Sequence, residues 1–305
     1  MKISFYNEHS YGDIIFTRGI VNWIADHIPS GHPLFYYHTK ESKSVPMHKK
    51  ILEMKYNIGV DMKLYGLNSL KRTIRQCDIV GGEMFINMIV YCSPSVIQRN
   101  NGDIFCPKFM NTDTVKLKAD EIITFINKHL RLDIPLPEAV DLLPQRTESC
   151  KNKLEIDNFF SYNNFPKTFL ICNGDTLSGQ AVNFNLVEIM HSFIKENPEI
   201  LFIFTEKKQV EPLDNQVFVN DFCNSNTIGD IEYMSKYADV LIGRSSGPSH
   251  TFFNKENCFD SNKSLIELTN DIDRAFFYKA GNAKYFWSDG ETKEVLLPFF
   301  KSLLV

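Results

Sequence analysis

The stretch Lys2-Ile3-Ser4-Phe5-Tyr6, followed by Asn7-Glu8-His9-Ser10-Tyr11-Gly12-Asp13 and then Ile14-Ile15, decides the fold. Five residues of strand type run into a polar loop with one glycine. Ile14, Ile15, Ile20, Val21, Ile24 and Ile28 then recur at helical spacing until Pro29-Ser30-Gly31 stops the helix. A second apolar strand at 34–38 completes a β-α-β unit. Working outward, the pattern predicts a helix over 47–56, strands at 62–65 and 79–80, and a helix over 119–130. Past residue 165 the alternation starts again. It predicts a strand over 168–172, a loop over 173–180, a helix over 185–196, strands at 201–205 and 216–219, and a helix over 228–237. A strand at 239–242, a turn at 243–248, a short helix from Ser249 and a last helix over 294–304 complete the series. Strands alternating with helices make a parallel sheet covered on both faces. Between Leu132 and Lys153 the chain turns polar and carries Pro135, Pro137 and Pro144, which marks a linker. The fold class is therefore α/β, with two Rossmann-like domains facing across a cleft, 1–150 and 151–305. The last helix is expected to reach back to the N-terminal domain.

The composition excludes several classes. Hydrophobic residues make up 43% and charged residues 23%, as in an ordinary cored protein, and the net charge of −4 gives no long-range attraction to nucleic acid or to an anionic membrane. Cys77, Cys92, Cys106, Cys150, Cys172, Cys223 and Cys258 are scattered and odd in number, with no C-x-x-C pair, and read as reduced thiols of a cytoplasmic protein. No signal-peptide pattern opens the chain and no 18 apolar residues run together, so stable membrane insertion is not expected. G-x-G-x-x-G after the first strand, G-x-x-x-x-G-K-[ST], G-x-S-x-G and H-E-x-x-H are all missing. Asp271-Ile272-Asp273 has the spacing of a metal-binding D-x-D but falls in a late predicted helix, where a solvated face is the plainer reading. Neither a metal nor a cofactor is expected.

Three segments are candidates for chemistry. In open α/β sheets ligands bind beyond the carboxyl ends of the strands, which is where the loop from His9 to Asp13 falls. Gly12 permits a tight turn there. Asp13 begins the helix, where its carboxylate either caps backbone amides or serves a reaction. The second segment is Gly243-Arg244-Ser245-Ser246-Gly247-Pro248-Ser249-His250. Small residues at a strand-to-helix turn leave N–H groups to meet an anion; Arg244, Ser246 and His250 add side-chain donors, and a plain turn is the alternative. The third is Asn173-Gly174-Asp175-Thr176-Leu177-Ser178-Gly179-Gln180, whose glycines and hydroxyls suit a diphosphate and equally suit any exposed loop.

Gly12-Asp13-Ile14-Ile15 and Ser246-Gly247-Pro248-Ser249-His250 together resemble the ADP-heptose:lipopolysaccharide heptosyltransferase family. Its members carry G-D-[IV]-[IVL] after strand one and D-[ST]-G-x-x-H at the matching turn of the second domain. The resemblance covers most of the chain as architecture and about fifteen residues as motif. It implies a metal-independent, inverting glycosyltransferase of the GT-B type, of hexosyl or heptosyl class, with a nucleotide sugar as donor. Asp13 becomes the general base, with His9 and Gly12 beside it on the acceptor side. Arg244, Ser246, Gly247, Ser249 and His250 become the diphosphate site, with Asn173, Gly174, Thr176 and Ser178 in a loop over the donor. The chain departs from the pattern at Ser245, where the family has an acid, and in lacking a lysine in the 173–180 loop. The acceptor is left open among a glycan, a protein and a modified nucleobase, the one route by which nucleic acid would become a partner. A GT-B sugar-nucleotide epimerase and a non-catalytic glycan-binding relative are the alternatives.

Overall fold

The computed structural model describes residues 1–7, 11–38, 48–55, 77–88, 112–147, 150–176, 181–244, 246–269, 283–287 and 293–304. The chain divides into two compact units, the first spanning Met1–Pro144 and the second beginning at Gln145.

In the first unit, β1 (Lys2–Asn7), α1 (Tyr11–His27) and β2 (Leu34–His38) form the predicted β-α-β unit. They are followed by β3 (Ile51–Lys55), β4 (Cys77–Val80), β5 (Glu83–Asn87) and α2 (Thr112–Leu130). The sheet order is β3-β2-β1-β5-β4, with β1 between two parallel neighbours. Ile3 and Phe5 are fully buried, and so are Ile14, Ile15, Phe16, Ile20, Val21 and Ile24 of α1. Each such side chain contributes about 1.5–3 kcal/mol by leaving water. Gly19 lets α1 meet the 3-10 turn Ala139–Leu142, since a Cβ there would overlap the Leu142 carbonyl. Trp23 Nε1 donates to the Pro135 carbonyl at 2.8 Å, so the proline-rich segment packs on this unit.

One sequence expectation needs correction here. The helix expected over 47–56 is the edge strand β3, paired in parallel with β2. Ile51 is buried while Leu52 and Met54 stand exposed, so strand pairing outweighs the helix-like spacing. The strand expected at 79–80 pairs antiparallel with β5 through Gly81 and Gly82, whose φ angles of 59° and 80° are the left-handed values such a turn needs. The strand expected at 62–65 lies outside the described residues.

The second unit contains α3 (Lys153–Tyr162), β6 (Lys167–Cys172), α4 (Leu186–Glu196), β7 (Ile200–Phe204), β8 (Gln216–Phe218), α5 (Ile228–Met234) and β9 (Val240–Arg244). It continues with α6 (Gly247–His250), α7 (Lys255–Phe259), β10 (Ser264–Thr269), β11 (Ala283–Trp287) and α8 (Lys293–Ser302). All pairings are parallel and the order is β11-β10-β9-β6-β7-β8. This is the doubly wound dinucleotide-fold order, and it reverses direction between β6 and β9. Phe169, Phe193 and Phe202 pack as an aromatic cluster beneath α4. Leu296 and Phe300 of α8 join this core, with Phe193 and Phe300 ring centroids 6.3 Å apart. The final helix thus packs on the core of its own unit. Buried Asp230 fastens the start of this unit, accepting hydrogen bonds from the backbone of Lys151 and Asn152 and from Thr227. Among the described residues no helix is long and apolar enough to cross a membrane.

Candidate functional site

The reversal in the second sheet places the ends of β6 and β9 side by side, with Cys172 paired to Gly243. Two of the three candidate segments leave the sheet at these ends. Gly243 is demanded by close approach: a Cβ there would overlap the Ser249 Cβ and press on Cys172. The turn after β9 folds back over its own strand. Ser249 is buried and its hydroxyl bridges the Arg244 carbonyl and, at 2.9 Å, the Ser246 carbonyl, while the Ser246 N–H donates to that hydroxyl at 3.3 Å. The Ser249 side chain therefore shapes the turn. Ser246, Gly247 and Pro248 are its half-buried members, and His250 is buried.

Arg244 corrects the sequence reading. It is fully buried, and its guanidinium donates to the carbonyls of Val182 at 3.0 Å, Asn173 at 2.7 Å, Gly174 at 3.0 Å and Phe184. It also lies over the Phe184 ring, 4.7 Å from the centroid. Burial lowers its pKa, opposed by the charges of Asp175 and Glu206. A guanidinium so engaged is a tether for the 173–184 loop rather than an exposed phosphate clamp.

The loop after β6 is built in the same way. Asn173 is buried; its Oδ1 accepts from the Glu206 N–H at 2.8 Å and its Nδ2 donates to the Glu206 carbonyl at 2.8 Å, which ties β6 to β7. Thr176 donates through Oγ1 to the Ala181 carbonyl at 2.9 Å and through its N–H to Asn183 Oδ1 at 2.7 Å, closing the base of the loop. The side chains of Asn173 and Thr176 thus hold the loop. A Cβ at Gly174 would overlap the Glu206 carboxylate, so this glycine is also a close approach. Ser178 lies outside the described residues.

In the first unit the corresponding reversal lies between β1 and β5, whose carboxyl ends carry buried Asn7 and Asn87. Gly12 and Asp13 fall in the first turn of α1, directly beyond Asn7, and His9 lies outside the described residues. Glu83, another acid of the first unit, sits at the opposite end of the sheet. It pairs with Lys2 at 2.9 Å and accepts from Ser4.

Sequence reading missed Glu206, Glu267 and Asn87. Glu206 follows β7 and lies against Gly174, the place where dinucleotide folds set a carboxylate against ribose hydroxyls. Glu267 is a fully buried acid in β10, with Oε1 3.6 Å from His250 Nε2. A lone acid within the apolar run Ser264-Leu265-Ile266-Glu267-Leu268 was the signal available. Among the described residues no group of three His, Cys, Asp or Glu side chains is arranged to hold a metal ion.

No family model matches the chain, and no curated protein matches it. Solved structures do. A glycosyl transferase of family 9 from Veillonella parvula superposes with a TM-score of 0.56 at 13% identity, over 99% of this chain and 88% of its own. The E. coli ADP-heptose lipopolysaccharide heptosyltransferase II gives 0.56 at 14% identity, over 100% and 98%. The E. coli heptosyltransferase WaaC, solved with ADP-2-deoxy-2-fluoro heptose, gives 0.57 at 11% identity, over 99% and 100%. A likeness at such identities is one of fold, and the chain has the two-unit α/β fold of these GT-B transferases.

Proposed function

We propose that this chain is a glycosyltransferase whose second unit binds a nucleotide-sugar donor and whose first unit presents Asp13 to an acceptor hydroxyl. The observation that carries the reading is the coincidence of motif and topology. Gly12-Asp13 opens the helix after β1 and the Ser246–His250 turn follows β9, two strands at the points where their sheets reverse, in a fold shared with the solved glycosyltransferases above. Ligands of open α/β sheets gather at such points.

In this reading the donor diphosphate rests on Ser246 and Gly247, with His250 behind them, and Glu206 is placed to receive the ribose hydroxyls. Arg244, Asn173 and Thr176 serve indirectly, by holding the loops that frame the site. Asp13 takes the proton of the acceptor hydroxyl as the oxygen attacks the anomeric carbon, and the bond to the diphosphate breaks with inversion. The charge that develops on the leaving diphosphate is met by oriented amides and by His250, with no metal required. A glycan is the acceptor class closest to the solved relatives; a protein or a modified nucleobase supplies the same hydroxyl chemistry.

The test is incubation of the purified chain with ADP-, GDP-, UDP-, CDP- and dTDP-sugars in the presence of EDTA. The reading expects one donor to release its nucleoside diphosphate, with faster release once an acceptor glycan is added. Conversion of a donor to its epimer without nucleotide release would make the chain an epimerase. No turnover and no binding of any donor would leave a non-catalytic protein.

A further inference from the structure

Glu267 has no part in that scheme, yet its situation demands one. It lies on β10 beside Gly243 of β9, is fully buried, and among the described residues neither carboxylate oxygen receives a hydrogen bond. A carboxylate stripped of water and of donors is costly unless a positive charge stands close or a proton neutralises it. His250 is the group at hand, with Nε2 3.6 Å from Oε1 and both side chains buried. That separation is too long for a hydrogen bond and short enough for strong Coulomb attraction in a low-dielectric interior.

Among the described residues, the other cation at this turn is engaged elsewhere. Arg244, on β9, directs its guanidinium to four backbone carbonyls, and its electrostatic neighbours are Asp175 after β6 and Glu206 after β7. On α6 itself His250 is the one ionisable side chain. Among the described residues, His250 is the other side chain of this turn that can carry a positive charge.

We infer that Glu267 is a positioning residue that holds His250 as a buried imidazolium beneath the Ser246–Gly247 turn, so that this turn offers positive charge to a nucleoside diphosphate. The inference rests on the nucleotide-sugar reading above for its ligand, though not for the state of the pair. Without ligand the pair is neutral overall, which allows both groups to be buried. An arriving diphosphate adds negative charge, and the imidazolium answers it.

The test uses the full chain, labelled with 15N, with the His250 ring signals assigned by their loss in His250→Gln. At pH 7 the wild-type ring is expected to show both nitrogens protonated, and Glu267→Gln is expected to show a neutral ring. A neutral ring in the wild type, or the same state in both proteins, overturns the inference. If Glu267→Gln does not fold, the wild-type spectrum alone decides. Calorimetric titration with ADP and UDP at pH 7 then tests the purpose of the pair. Glu267→Gln and His250→Gln are each expected to weaken binding about 10-fold, and the double variant no further, since the two groups act as a unit. Wild-type binding that survives unchanged in Glu267→Gln overturns the inference while sparing the donor reading. Binding by none of the proteins overturns the donor reading and, with it, the purpose given to the pair.

Discussion

The carboxyl ends of the two sheets are furnished differently. At the end of the second sheet Asn173, Arg244, Ser249, His250 and Glu267 are all buried, and Asn173, Arg244 and Ser249 are knitted to backbone. At the end of the first sheet the buried polar groups among the described residues are Asn7 and Asn87, while Lys2, Ser4 and Glu83 form a polar cluster toward the amino end. The contrast separates two ways of making a site. In the proposed reading the second unit's polar groups are fixed before a donor arrives, the property that makes electrostatic stabilisation effective. The first unit offers a single carboxylate on the opening turn of a helix.

Substitutions at the two ends should therefore fail in different ways. Asp13→Asn is expected to lower turnover by about 10²–10⁴-fold, the usual general-base contribution, with melting temperature and donor affinity nearly unchanged. Normal turnover with a much lower melting temperature would make Asp13 a helix cap and remove the first half of the comparison. Arg244→Leu should do the reverse. Loss of a buried guanidinium that holds four carbonyls is expected to cost about 3–5 kcal/mol, read as a fall in denaturation midpoint. An unchanged midpoint with lost nucleotide binding would restore Arg244 as a phosphate ligand.

Gly243→Ala sharpens the same contrast. Its added methyl meets Ser249 and Cys172, so the turn must move away from β9, at a cost of about 1–3 kcal/mol in chemical denaturation. Tolerance of alanine would mean that the turn is not held against its strand. The smallest effect concerns thiols. Burial pushes the Cys77, Cys223 and Cys258 thiols up to about 12, and burial together with the charge of Asp230 pushes Cys150 up to about 11. With pKa values above those of a free thiol, these groups are thiols rather than thiolates at pH 8. Alkylation by iodoacetamide in the native protein should be about 100-fold slower at Cys150 than at an exposed cysteine and slower still at the other three. Fast labelling of Cys223 or Cys258 would show that the second unit opens readily.

Much of this was readable in the chain itself. Strand periodicity and short turns gave β1, α1, β2 and the run from β6 to β9, because there the local pattern and the tertiary packing agree. The segment around Ile51 was misread since an edge strand with exposed Leu52 and Met54 carries no clean alternation. The Ser246–His250 turn was legible from composition and the roles of its side chains were not, while Gly12 and Asp13, read as the end of a loop, lie in the first turn of α1. Arg244 reads as a phosphate ligand in sequence because nothing local reveals that four carbonyls from a loop some 60–70 residues earlier surround it. Glu267 escaped notice for the same reason, as its partner His250 belongs to another element.

The central claim is that the ends of β6 and β9 form a nucleoside-diphosphate site. It is tested most directly by a crystal structure of the chain with whichever nucleoside diphosphate binds best in calorimetry. The account predicts phosphate density over Ser246 and Gly247, ribose at Glu206, and Arg244 still bonded to the carbonyls of Asn173, Gly174, Val182 and Phe184. Phosphate density elsewhere, or an Arg244 side chain turned out to meet it, would contradict the account.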